Sequence, residues 1–357
     1  CGHHCTRSRL DAPQTQGGSA MTSGGRRFGI GFYLAVSFLG LSALAAITGP
    51  LWLPDPSPMA DEICLPLARM SPGTRVDFLR YAPGGADKGS GSMLPITSWK
   101  QERDSMKVFL FNGEGSQTTP AAYAVRDLIP ARNGGLVHTR RYWLGTDKSG
   151  GDMLSRLVTG GRISLGVGFC AVLISMFIGI SAGLSAGYYG GRADRFLTWL
   201  MGVMWSIPSM LLALAVSFAL GKGFVPILIA IGLSTWVDVA RMVRGQVLSL
   251  REREYVLAAK VLGLSDLRIM LRHILPNLRG ILLIVATSNF ASAILLEAGL
   301  SFLGLGIPPP APSWGGMVRD HYGMIVSGPV YLALLPGLTI MASVMSFHLI
   351  STALRER

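Results

Sequence analysis

Charge is what this chain of 357 residues lacks: Asp, Glu, Lys and Arg make up 15% of it, against 50% hydrophobic residues. Soluble globular domains carry about a quarter charged residues, so a membrane protein is the better class. Cysteine is equally scarce. The four present, Cys1, Cys5, Cys64 and Cys170, make no disulfide framework. Cys1-Gly-His-His-Cys5 has the composition of a metal cluster, but four ligands in five residues can hardly surround one ion tetrahedrally, so no metal is expected. No G-x-x-x-x-G-K-[ST] loop is present to cradle ATP phosphates. A membrane enzyme would need convergent acids, bases or metal ligands, yet His273, His321 and His348 are scattered and Glu297 is a lone carboxylate in an apolar run. The net charge of +12 could suggest nucleic acid, but the basic residues flank apolar runs and no aromatic-plus-basic module accompanies them. The excess is therefore read as membrane topology and not as a nucleic-acid surface.

What the chain does have is long apolar runs. A hydrocarbon core about 30 Å thick takes roughly 20 apolar residues per helix. Six runs qualify, at about 29–53, 163–187, 196–220, 224–240, 281–303 and 330–349, which predicts an all-α polytopic membrane protein with six transmembrane helices. Arg26 and Arg27 precede the first, Arg192 and Arg195 follow the second, a basic stretch follows the fourth, and Arg355 and Arg357 follow the sixth. These flanks place both termini in the cytoplasm. The division that follows is a cytoplasmic segment at 1–28, a first span at 29–53 and an extracytoplasmic insert at 54–162. A core at 163–349 includes a cytoplasmic loop at 241–279, and 350–357 form a cytoplasmic tail. Because Met21 precedes the first basic pair, residues 1–20 are read as an artefactual extension or a misplaced start and kept out of the fold argument.

Within this frame some residues already have physical tasks. Gly179, Gly183 and Gly187 share one helix face and invite a close helix neighbour. Pro208 should kink or break the third span. Asp238, near the inner end of the fourth, is read as an anchor that reaches the interface or pairs with Arg241. In the insert, short β-like runs such as Lys107 to Phe111 suggest a small subdomain whose periodicity is too weak to assign.

The loop from Glu254 to Asn277 is the most informative segment. Val256, Ala259 and Leu262 recur at helical intervals and Gly263 offers a tight turn. Ser265 or Asp266 stands where a second helix would be capped, and Pro276 where it would end. Small residues at Ala258, Ala259 and Gly263 would let a partner surface approach, with Arg268 and Arg272 flanking the contact. The residues alone leave this open against an amphipathic helix lying on anionic lipid.

The same stretch resembles the EAA loop of binding-protein-dependent ABC permeases, Glu-Ala-Ala, three residues, Gly, nine residues, Ile-x-Leu-Pro. Ala258, Ala259, Gly263, Leu275 and Pro276 fall at that spacing, with Leu257 in place of the Glu and His273 in place of the Ile. Leu144-Gly145-Thr146-Asp147, Gly150, Asp152, Ser155 and Arg156 resemble the LGTDxxGRDxxSR signature of the dipeptide and oligopeptide class, with Gly151 where Arg is usual. Glu297, Ser301, Gly304 and Gly306, followed by Pro312-Ser313-Trp314-Gly315, resemble its EASLSFLGLG and PSWG segments. The chain is similar to the C-type permease subunit of peptide and nickel importers from about Trp143 onward.

That resemblance implies a type I importer (MetI-like) permease fold in the inner membrane, with transport by alternating access. It implies a second homologous permease subunit, two ABC ATPase subunits that carry ATP and Mg and dock on the loop, and an extracytoplasmic substrate-binding protein. Membrane lipid surrounds the assembly, and this chain itself would bind no cofactor and catalyse nothing. Peptides are the expected substrate, with nickel or another small solute as the alternative. A proton-coupled secondary carrier is the rival class, and would show inverted repeats and midplane ionisable residues.

Overall fold

The computed structural model describes residues 29–55, 57, 59–81, 92–102, 104–112, 120–129 and 136–356. The Cys1–Cys5 cluster, Arg26 and Arg27, the division at 1–28, the Pro83-Gly84-Gly85 and Lys88–Gly91 stretches, and Arg357 lie outside those residues.

Helix α1, Ile30–Trp52, is apolar on all sides and packs on later helices of the bundle. Among the described residues five strands follow: β1 Thr74–Tyr81, β2 Ser92–Glu102, β3 Ser105–Leu110, β4 Ala121–Ala124 and β5 Val137–Tyr142. They form one antiparallel sheet in the order β4-β3-β2-β1-β5. Successive strand residues point to opposite faces. Val76 and Phe78 of β1 accordingly pack with Leu67 and Tyr142, while Leu79 packs with Ile96, Met106, Val108 and Leu128. The all-α expectation is corrected here. A strand buried on both faces carries Phe78 and Leu79 side by side and loses the apolar-polar alternation that would reveal it.

The helices from α2 onward build the apolar core. Helix α2 spans Met153–Tyr189 and starts well before the expected Ile163, because Asp152 caps it by accepting from the Ser155 amide at 2.8 Å. Its glycine stripe meets α5, Phe224–Leu250. A Cβ at Gly179, Gly183 or Gly187 would lie 2.5 Å from Val239, 2.6 Å from the Ala240 carbonyl or 2.7 Å from Val247. Between these two, α3, Gly191–Ser206, and α4, Ser209–Leu220, meet at 92°. Pro208 has no amide to continue α3 and its ring clashes with the preceding turn, so the expected third span is broken. Among the described residues five helices are long and apolar enough to cross a membrane, and the bent pair would make six if counted as one span. The fourth expected run also extends past Ala240, so Arg241 and Arg244 lie inside α5. Arg244 there grips Asp194 of α3 with Nε at 2.5 Å and Nη2 at 2.7 Å.

Helices α6, Glu254–Val261, and α7, Asp266–Ile269, follow, then α8, Arg279–Phe302. Beyond these, α9, Trp314–His321, and α10, Met324–Ser327, lead to α11, Tyr331–Arg355. The expected stop at Leu275-Pro276 is not a stop. A π turn over Met270–Ile274 passes into a 3-10 turn over Leu275–Leu278 and then into α8. Changing the hydrogen-bond register around Pro276 lets the helical path absorb a residue that cannot donate.

Candidate coupling surface and translocation face

Helices α6 and α7 form a compact turn at the end of the bundle. Gly263 joins them with φ +75°, a left-handed conformation that glycine adopts without strain. Val256 and Ala259 of α6 face inward and share a cluster with Ile269, Ile274, Leu278 and Val285. Ala259 therefore belongs to the chain's own core and not to the docking face expected of it, a consequence of lying three residues after Val256 on the same face. The outward face is formed by Leu257, Val261, Leu262, Leu267 and Leu271, with Val261 87% and Leu262 79% exposed. Glu254, Ala258, Ser265, Asp266, Arg268, Arg272 and Pro276 are also exposed, and His273 and Leu275 are half-buried. Ser265 occupies the N-cap position of α7 without a side-chain capping bond.

This turn is tied rigidly to α2. Tyr188 donates its hydroxyl hydrogen to Asp266 Oδ1 at 2.7 Å. The Lys260 ammonium lies 4.8 Å above the same ring, a cation–π contact. Arg251 Nη1 donates to the Gly187 carbonyl at 3.1 Å, and Asn277 Nδ2 donates to the Tyr255 hydroxyl at 3.2 Å. Motif spacing does not reveal Tyr188 or Asn277. Their only trace is a position next to a glycine stripe or a proline.

The LGTD signature is a staple between the sheet and α2. Thr146 Oγ1 accepts from the Met70 amide at 2.8 Å and donates to the Leu67 carbonyl. Buried Asp147 accepts from the Ser149 and Gly151 amides at 2.7 and 2.9 Å and pairs with Arg156. Asp152 accepts from the Ser155 hydroxyl at 2.5 Å as well as its amide, while Ser155 Oγ accepts from the Asp55 amide at 3.2 Å. Burial pushes the Asp152 carboxyl above its ordinary value against those two bonds. Gly145 and Gly150 both have positive φ, and a Cβ on Gly150 would enter the Cys64 carbonyl. Leu144 packs beside Met153 and Trp314.

The second signature closes the opposite side of α2. Glu297, fully buried, accepts from Ser164 Oγ at 2.9 Å and Ser301 Oγ at 2.7 Å. Ser313 Oγ donates to Ser301 Oγ at 3.2 Å, and the Trp314 amide donates to Ser164 Oγ at 3.2 Å. Gly304 turns the chain with φ +84°, and Gly306 lies directly against Ser301. One carboxylate thus holds α2, α8 and the start of α9 together through its polar partners.

A third feature has no motif. Asp238 of α5, Ser288 and Ser292 of α8, and His348, Thr352 and Arg355 of α11 are exposed and line one cavity of about 310 Å³. Among the described residues no ion pair joins Asp238 to Arg241 as expected. Arg241 instead stacks over Trp205 at 4.3 Å, leaving the carboxylate facing the cavity. Exposed Asp, His and Arg on apolar helices are costly against lipid, so this face meets water or protein.

Residues 143–357 match the family described as binding-protein-dependent transport system inner membrane component. The chain is similar to the dipeptide transport system permease protein DppC of Alkalihalophilus pseudofirmus, 42% identical over 215 residues, covering 60% of this chain and 70% of that protein. It is also similar to the oligopeptide transport system permease protein OppC of Bacillus subtilis, 37% identical over 218 residues, covering 61% and 71% respectively. Among solved structures, an inward-facing form of the MetNI methionine ABC transporter aligns with TM-score 0.47 at 18% identity, over 57% of this chain and 97% of that one. With the family matched over all the helices from α2 onward, the chain belongs to the inner-membrane components of binding-protein-dependent transport systems.

Proposed function

We propose that this chain is one permease half of an ABC importer for di- or oligopeptides, working by alternating access in the inner membrane with both termini cytoplasmic. The observation that carries the coupling role is the α6–α7 turn, whose outward apolar face belongs to a unit pinned to α2 by Tyr188, Lys260 and Arg251. A partner that grips Val261 and Leu262 pulls on the end of a 37-residue helix through short polar contacts. The substrate class is supported by the names of the relatives. ATP and Mg belong on two ATPase subunits, and a second permease completes the pathway opposite the Asp238–His348–Arg355 face. The type I importer fold and a sixth span made of the bent α3–α4 pair fit this reading. So does an outer position for the sheet, where it lies close to an extracytoplasmic binding protein. Leu257 replaces the motif's Glu on the exposed side of α6, so this loop docks by apolar contact.

Co-expression with the neighbouring permease and ATPase genes tests the proposal. The ATPase is expected to co-purify, to be stimulated by peptide-loaded binding protein, and to be lost from a Val261→Asp/Leu262→Asp variant. Full retention of the ATPase by that variant would overturn the coupling role.

A further inference from the structure

Resting on that reading, we infer that the cavity among Asp238, Asn289, Ser292, His348 and Arg355 is a transient binding station for the charged ends of a short peptide. Three helices supply complementary chemistry in one space. Asp238 on α5 is an acceptor for an ammonium group, and Arg355 on α11 is a fork of donors for a carboxylate. His348 lies seven residues before Arg355, two turns along the same face of α11. Ser288 and Ser292, one turn apart on α8, add hydroxyls along the wall between them.

The cavity continues into an apolar groove of about 500 Å³ that shares Ser288, Ser292 and His348 and is walled by Leu295, Met341 and Met345. Polar ends beside an apolar, methionine-lined trough suit a peptide of varied side chains, because methionine adapts to many shapes. Two features favour a zwitterionic ligand over an anionic lipid headgroup: a carboxylate facing the space, and a single guanidinium, Arg355, on the opposite wall. Val285 belongs both to this wall and to the cluster beneath α6. Movement of the coupling turn therefore reaches the station through one packed layer.

The experiment uses the complete transporter, both permeases and both ATPases, purified in detergent without binding protein. Equilibrium binding of tri-alanine, N-acetyl-tri-alanine and tri-alanine amide is measured. Wild type should bind tri-alanine about tenfold more tightly than either blocked form, the worth of one charged contact near 1.4 kcal/mol. Asp238→Asn should erase the discrimination against the acetylated peptide only, and Arg355→Gln that against the amide only. His348→Ala, which removes the ring N–H, should weaken binding of tri-alanine and its acetylated form, both of which keep a carboxylate. Assembly of each variant is judged by co-purification of all subunits, and Asp238→Glu, which keeps the charge, should retain discrimination. Equal binding of the three peptides by wild type, absence of binding, or variants indistinguishable from wild type would each overturn the inference. Peptide-stimulated ATP hydrolysis by the wild-type complex with binding protein is scored separately, so a failed station and a failed transporter reading give different results.

Discussion

The two kinds of family motif in this chain behave in opposite ways. In the LGTD and EASLSFLGLG regions the motif side chains turn inward: Thr146, Asp147, Asp152, Glu297 and Ser301 are buried and bonded to the chain's own loops and helices. In the α6–α7 turn Val256 and Ala259 join the core, but a second set of apolar side chains, Leu257, Val261, Leu262, Leu267 and Leu271, turns outward and is exposed. A motif of the first kind specifies a fold; one of the second kind specifies a neighbour. The difference predicts which substitutions damage the molecule itself and which damage only its partnerships.

The largest effect is expected where two backbones touch. At Gly183→Leu a side chain must enter a gap in which even a Cβ lies 2.6 Å from the Ala240 carbonyl. The expected loss is about 3 kcal/mol or more, the upper end of overpacking costs, seen as failure to recover monodisperse protein in detergent. A normally folded variant would break the assignment of α2–α5 contact to the inward class. Glu297→Ala should follow, at about 2–3 kcal/mol, because it strands the Ser164 and Ser301 hydroxyls in a buried site. Glu297→Gln keeps an acceptor and should cost less than half of that, and thermal unfolding of the two variants side by side gives the ratio.

The outward class should respond in reverse. Val261→Asp places a charge at a position 87% exposed, so its stability should stay within about 0.5 kcal/mol of wild type. ATPase affinity should fall about tenfold or more, as when an apolar contact in an interface is replaced by an unpaired charge. Unfolding and ATPase retention measured on one preparation separate the two. A variant that unfolds while still holding the ATPase would invert the comparison.

These differences also explain what could be read in advance. Spans were legible because lipid demands unbroken apolar length, and the glycine stripe because Gly179, Gly183 and Gly187 repeat every four residues. The sheet is legible only at β3, where the Lys107 to Phe111 run falls, and is hidden at β1, which buries both faces. The helical path through Pro276 was hidden because a π turn followed by a 3-10 turn leaves no compositional mark. At the site, Gly263 is legible as a turn, whereas Leu262, expected in step with Val256 and Ala259, is exposed, and Ala259 lies in the core: small residues fit a crowded core as readily as a docking face. The Asp238–His348–Arg355 cavity assembles side chains from three helices, and no local spacing encodes such a meeting.

The smallest effect concerns acid, and it probes the inward class at its edge. His321 on α9 is buried, its Nδ1 donating to the Met317 carbonyl at 2.8 Å while Nε2 has no partner. Burial holds its pKa below the ordinary 6.5, outweighing the Met317 carbonyl and the nearby Asp147 and Asp320 carboxylates, which favour the proton. The unfolded chain therefore takes up a proton at this position before the folded one does. Stability is complete above pH 6.5 and declines as pH falls through that value toward the lower pKa of the folded state. The thermal midpoint should drift downward over that window, by less than the Gly183 and Glu297 substitutions change it at neutral pH. His321→Gln, which keeps an amide donor for Met317 and cannot titrate, should flatten the slope between pH 6.5 and 5. An unchanged slope in that variant would mean that the α9 contact with the Asp147 turn opens in mild acid without this imidazole, and that the inward class is less closed there than its hydrogen bonds suggest.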